Sequence, residues 1–388
     1  MTTLPNVTPS QKEQSASMLR ARGTVVDLFC GVGGLTHGFK AKGFDVRAGY
    51  DVEEACRYAY ERNNGAPFIR KNVAELTADD LAEHFAPGEP RILIGCAPCQ
   101  PFSTYTQSNE DPRDQLIDVF ADLICELKPD VVSMENVPRL LRYRDGLLFQ
   151  NFAAKLEGAG YHVTKHVVFA PDYGVPQRRS RLVVLASLHG EVALVPPTHT
   201  PDDYVTVGQT IGDLNPLEAG GVYESDPLHR ASSVSELNLK RLRASRPGGS
   251  WRDWDQNLVA DCHKTDQGKT YPSVYGRMSA DKPSPTITTQ FFGFGNGRFG
   301  HPTQDRAISL REGALLQSFP KDYEFHGPTQ PVTMKAMGKM IGNAVPVLLA
   351  QAIADSIRRH LEGVGADDAI QHENEPECAG ALGDQPLQ

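Results

Sequence analysis

The chain has 388 residues, 40% hydrophobic and 22% charged, with a formal net charge of −9. That length holds one large domain and a smaller one, and no window approaches the ~18 uninterrupted apolar residues of a membrane helix, which excludes a membrane protein. The opening MTTLPNVTPSQKEQ lacks the basic start and apolar core of a secretory signal, which predicts a cytoplasmic chain whose 7 cysteines are reduced thiols rather than a disulfide framework.

After an N-terminal extension (1–22), residues 24 to 187 repeat one unit, a short β-branched run followed by a helical stretch. This is the pattern of an α/β protein with a parallel sheet covered by helices. The runs are TVVDLF (24–29), FDVRAGY (44–50), PFIR (67–70), RILIG (91–95), DVVSME (130–135), HVTKHVVFA (162–170) and RLVVLAS (181–187). Helical signals fall on VEEACRYAYERN and QLIDVFADLICELK. In such sheets ligands bind at the carboxyl ends of the strands.

The first strand enters DLFCGVGGLTHGF (27–39), where Gly31, Gly33 and Gly34 predict a tight turn ahead of a helix. Thr36 stands where a dinucleotide fold would place a third small residue. The second strand ends at Asp51, a carboxylate able to bind ribose hydroxyls. Together these indicate an adenosine-type cofactor without separating nicotinamide from S-adenosylmethionine.

The fourth strand ends in GCAPCQPFS (95–103), which sets Cys99 at a ligand-binding position after Pro98. Cys96 reads as a core thiol, although C-A-P-C is also the spacing of a thiol redox pair. The fifth strand ends in MENVP (134–138), where Glu135 in a desolvated site suits an acid or a hydrogen-bonding carboxyl. In PQRRSRL (176–182) a period of two puts Arg179 and Arg181 on one face and Arg178 on the other. Two guanidiniums on one face suit a phosphate or a developing oxyanion.

Beyond VPPTHTPDD (195–203) the alternation stops, and residues to about 305 predict a second, irregular domain. Residues 226–311 hold 13 Lys or Arg against 8 acids, a local +5, with a basic run NLKRLRASR (238–246) suited to phosphate. Trp251 and Trp254 read as core of this part. His263 beside Cys262 lacks the second pair of a zinc site, so no metal is assigned. Helical signals return at LREGALLQSF (310–319) and VPVLLAQAIADSIRRHLEG (345–363). The stretch 361–388 carries seven acids and no Lys or Arg, or 0 − 7 = −7, and reads as a disordered acidic tail from 363. Partitioned in this way, the acidic total does not exclude a nucleic-acid partner.

In order and spacing, DLFCGVGG, Asp51, GCAPCQPFS, MENV, QRRSR, LREGALLQSFP and GNAVP (342–346) resemble the motifs of the DNA (cytosine-5) methyltransferases of prokaryotic restriction-modification systems, over about residues 24–362. The resemblance implies a Rossmann-like S-adenosylmethionine-dependent catalytic domain (23–195, rejoined by 306–362) and a target-recognition domain (196–305). It makes Cys99 the nucleophile, Glu135 the contact to the cytosine ring, and Arg179 and Arg181 supports of the site. Phe29, Gly31, Gly33, Gly34, Asp51, Val52, Asn72, Pro98, Asn343 and Val345 would line the cofactor pocket. Two positions depart from the family pattern. Val52 replaces a frequent aromatic, and Asn72 stands where an Asp commonly meets the adenine amine.

The implied partners are double-stranded DNA and, functionally, a companion restriction endonuclease, with the enzyme a monomer. The loop 100–113 would be a lid over a flipped base. Three rival readings accompany it: a tRNA cytosine-5 methyltransferase, a nicotinamide or thiol oxidoreductase built on CAPC, and an inactive DNA-binding module. The tRNA family usually carries a Cys-Phe-Thr segment that this chain lacks.

Overall fold

The computed structural model describes residues 23–98 and 115–373, the side chains of 365–373 excepted. The N-terminal extension, Cys99, the loop 100–113 and residues 374–388 lie outside that description. Seven strands form one sheet: β1 (Thr24–Leu28), β2 (Asp45–Asp51), β3 (Phe68–Arg70), β4 (Arg91–Gly95), β5 (Val131–Asn136), β6 (His162–Phe169) and β7 (Ser180–Ser187). Their spatial order is β3-β2-β1-β4-β5-β7-β6. The order reverses between β1 and β4, so the glycine turn after β1 and the Pro98 loop after β4 leave from adjacent strands at the switch point, where open α/β sheets bind ligands.

The strands β1 to β5 are parallel. The wholly parallel sheet expected from the alternation ends there, because β7 runs antiparallel to both β5 and β6. Between β6 and β7 lie only residues 170–179, including a short 3₁₀ turn at Ala170–Tyr173. A parallel return needs a crossover of about a dozen residues or more, usually a helix, so the chain turns back on itself instead.

The helices are α1 (Gly34–Ala41), α2 (Arg57–Asn64), α3 (Ala78–Ala82), α4 (Gln115–Leu127), α5 (Leu147–Gly158), α6 (Val207–Ile211), α7 (Glu236–Ala244), α8 (Asp261–Lys264), α9 (Leu310–Leu316), α10 (Met334–Asn343) and α11 (Val347–Glu373). Successive strand residues face opposite sides. Val26, Leu28, Leu93 and Val132 pack on Ile117, Phe120 and Ile124 of α4 and on Phe152 of α5. Val25, Ile92, Ile94 and Val131 pack on Leu35 and Phe39 of α1 and on Leu349, Ile353 and Ile357 of α11. Both faces are covered, which is why the strands read as nearly continuous apolar runs.

The helix α11 also corrects an expectation. It continues to Glu373, into the segment read as a disordered tail from 363. A glycine inside a helix costs only about 1 kcal/mol, and no proline follows Gly363 until Pro376. The stretch 334–364 matches a membrane span by length and composition, but 78% of its apolar window is buried inside the protein.

Between β7 and α9 the chain holds only short elements, among them the hairpin β8 (Val222–Tyr223) and β9 (Asp226–Arg230). Trp251 and Trp254 lie with Leu242, Val259, Phe294 and Ala307 in a small core of their own. Where this part rejoins the sheet, Arg306 is fully buried and its guanidinium bonds both oxygens of Glu312 at 2.8 and 2.7 Å. Glu312 and Ser309 also cap α9 reciprocally.

Candidate active site

At the end of β1 the backbone turns through Phe29 and Gly31, both left-handed with φ of 59° and 52°. The Gly31 N–H donates to Asp51 Oδ2 at 2.9 Å, and the Glu53 N–H donates to Asp51 Oδ1 at 2.9 Å. Asp51 therefore ties the ends of β1 and β2 into one wall. A Cβ built on Gly31 would meet nothing within 4 Å. Beside this opening Val52 is 59% exposed, unusual for an apolar side chain. Open space over a glycine, an acceptor carboxylate and an apolar flank fit the adenosine end of S-adenosylmethionine.

The other side of the turn is crowded: a Cβ on Gly34 would stand 2.4 Å from the Val345 carbonyl oxygen. Val345 is buried and Asn343, the last residue of α10, is exposed. Gln317 holds this GNAVP turn, its Nε2 donating to the carbonyls of Ile341 at 2.8 Å and Ala344 at 3.3 Å. In the sequence Gln317 is one letter of LREGALLQSF, with no sign of a buried amide. Asn72 caps a 3₁₀ turn, its Oδ1 accepting from the Ala74 N–H at 3.2 Å. That leaves the oxygen one further lone pair.

Glu135 lies near the carboxyl end of β5 and is 2% exposed. Arg181 Nε reaches its Oε1 at 2.8 Å as an ion pair, without the alignment of a hydrogen bond. The Cys96 thiol donates to its Oε2 at 2.9 Å. Next along the chain, Asn136 Nδ2 donates to the Ala97 carbonyl at 3.2 Å, tying the end of β5 to the segment that leads through half-buried Pro98 to Cys99.

Arg179 precedes β7 and donates to the Ile287 carbonyl at 3.2 Å, whereas Arg181, inside the strand, turns to Glu135. Residues 176–178, just ahead of Arg179, are held by another segment. The Arg178 N–H donates to the Ser284 carbonyl and the Ser284 N–H to the Pro176 carbonyl, and the Ile287 N–H donates to Gln177 Oε1 at 2.9 Å. This fastening brings Ile287 beside Arg179, at the end of β7 that lies with the carboxyl ends of the parallel strands. The basic run is also less available than its letters suggest. Arg241 bonds the Leu258 carbonyl and lies 5.6 and 5.4 Å from the ring centres of Trp254 and Tyr275, so it is half-buried against the small core.

An α/β sheet with a glycine turn at the end of β1 and a buried carboxyl at the end of β5, one strand apart at the switch point, is the arrangement of the Rossmann-like methyltransferase class. Within it the chain belongs to the C-5 cytosine-specific DNA methylases, whose family model matches residues 23–359, and it is a DNA (cytosine-5) methyltransferase. It is 52% identical over 343 residues to the type II methylase M.HgiDII of Herpetosiphon aurantiacus, covering 88% of this chain and 97% of that one. It is 33% identical to the type II methyltransferase M1.HphI of Haemophilus parahaemolyticus, covering 86% of each. A solved putative DNA modification methyltransferase from an Escherichia coli prophage shares the fold with a TM-score of 0.61 at 23% identity, over 90% of this chain and 99% of that one. The Dnmt2 methyltransferase of S. pombe does so at 0.56 and 19%, over 88% and 99%, a likeness of fold alone.

Proposed function

We propose that the protein transfers the methyl group of S-adenosylmethionine to carbon 5 of a cytosine in a specific sequence of double-stranded DNA, through a transient bond between Cys99 and carbon 6 of a flipped base. The observation that carries this is Glu135, a buried carboxyl held beside the strand end that leads to Cys99. Residues 196–305 would read the sequence, and the type II relatives support a companion restriction endonuclease. The protein would act as a cytoplasmic monomer.

The cofactor would be held by Phe29, Gly31, Gly33, Gly34, Asp51, Val52, Asn72, Pro98, Asn343 and Val345, and supplies an electrophilic methyl on a sulfonium. The remaining work falls to the chain. Carbon 5 of cytosine is a feeble nucleophile; addition of the Cys99 thiolate to carbon 6 makes the ring electron-rich at carbon 5. Glu135 would bond ring nitrogen 3 and the exocyclic amine, stabilising the charge that develops there, with Arg181 holding Glu135 in place. After methylation a base takes the proton from carbon 5 and the electron pair expels Cys99. Turning the base out of the stack costs on the order of a few kcal/mol, offset by contacts to the vacated duplex and the pocket.

Cys99→Ser should abolish transfer of labelled methyl to duplex DNA in the purified enzyme. Full activity in that variant, or transfer to tRNA alone, would overturn the assignment.

A further inference from the structure

The strand order places β5 between β4 and β7, so Glu135 has a neighbour on each flank. In the parallel register Gly95 stands opposite Met134, and the next residues, Cys96 and Glu135, come side by side on the same face. The Cys96 N–H still bonds the Leu28 carbonyl at 3.3 Å, so the thiol leaves from backbone that the sheet holds rigid. On the other flank the antiparallel partner β7 supplies Arg181. One oxygen of Glu135 thus meets a guanidinium and the other a thiol, 2.8 and 2.9 Å away.

We infer that Cys96 is a positioning residue for the methylation reaction: its thiol holds Glu135 Oε2 and fixes the plane in which the carboxyl meets the cytosine. A side chain that packs only as a small apolar group would have no reason to direct its hydrogen at a carboxylate. A thiol is a weak donor, strong enough to orient the carboxyl and weak enough to yield when the exocyclic amine of the base competes for the same oxygen. Arg181, through its charge, keeps hold of Oε1 throughout. The inference rests on the reading of Glu135 as the ring contact.

The test compares Cys96→Ala, Cys96→Ser, Glu135→Gln and the double variant Cys96→Ala/Glu135→Gln in the full chain. Cys96→Ala should lower kcat roughly three- to tenfold, the worth of one weak hydrogen bond to a charged group, with KM for DNA and for S-adenosylmethionine unchanged. Cys96→Ser, which keeps a donor, should restore most of that loss. On a Glu135→Gln background Cys96→Ala should add nothing, since it acts through the carboxylate.

Infrared difference spectra give a readout independent of turnover. The Cys96 S–H stretch should move to higher frequency when Glu135 becomes Gln. An unshifted band, or wild-type kcat in Cys96→Ala, overturns the inference. A shifted band together with full activity in Glu135→Gln would instead sink the reading of Glu135 and leave the thiol–carboxylate bond standing.

Discussion

Asp27 is where burial and charge conflict most directly. It lies in the middle of β1 with no exposed surface; its Oδ2 accepts from the Thr36 hydroxyl at 2.6 Å, and its Oδ1 has no hydrogen-bond partner among the described residues. Loss of water raises its carboxyl to about 7; the Thr36 bond opposes this and the nearby charge of Asp51 adds to it. An unfolded Asp titrates near 4, so between about pH 4 and pH 7 the native state holds a proton that the unfolded chain has lost. Stability contributed here is therefore lost as pH rises through that window and levels off above it. Asp27→Asn cannot ionise. Urea unfolding at pH 5 and pH 8 should show wild type losing ground to the variant at the higher pH, by at most about 3 kcal/mol, the two units from pH 5 to pH 7 at about 1.4 each. Parallel pH dependence in the two proteins would mean that Asp27 is already ionised in the fold. In the sequence Asp27 is one letter of DLFCGVGG, and Thr36 shows only as a missing third glycine. Their contact depends on how α1 seats on the sheet, which spacing along the chain does not specify. The same limit hid Cys96, whose neighbour is set by the register of β4 against β5.

At the scale of elements, the glycine turn and α1 separate two roles that the motif merges. Gly31 faces open space, so alanine there meets only the strain of a left-handed residue, about 1–2 kcal/mol. Gly34 abuts the Val345 carbonyl at 2.4 Å from a built Cβ, and backbone on that side cannot give way cheaply. Gly31→Ala should therefore stay folded while binding S-adenosylmethionine at least tenfold more weakly. Gly34→Ala should lower the melting temperature by several degrees, as overpacking of about 1–3 kcal/mol does. Calorimetry with and without cofactor distinguishes them, and a Gly31→Ala protein with normal cofactor affinity would remove the opening over Gly31 from the pocket. Strands were readable to within a residue or so because β-branched runs buried on both faces have few other uses: RILIG is β4 without adjustment. The reversal of β7 was not, since orientation follows from the length of the 170–179 connection rather than from the strand itself. The joining of Gln177 to Gln317, whose amides meet at 2.8 Å across 140 positions, likewise has no local signal.

Across the whole molecule the question is how a chain of net charge −9 binds a polyanion. The local +5 of 226–311 is an overestimate of what DNA meets. Arg277 and Arg306 are buried, on Asp305 and Glu312, and Arg311 holds Asp226. At the surface Arg246, Lys264 and Lys269 each stand on an aspartate. Lys240 and Lys282 are exposed and take part in no ion pair among the described residues, so they can exchange counterions for phosphates without first giving up a partner. Each phosphate neutralised releases close to one counterion, and the slope of log affinity against log salt counts them. Lys240→Ala and Lys282→Ala should each flatten that slope by about one and weaken specific and non-specific duplexes alike. Lys264→Ala should change it less, because Asp261 already neutralises that charge. Arg241→Ala should act differently again, lowering stability through the lost stack on Trp254 and Tyr275 while leaving the slope near its wild-type value. Fluorescence anisotropy over a salt series separates these outcomes. An unchanged slope in both Lys240→Ala and Lys282→Ala would place the DNA on another face of the protein.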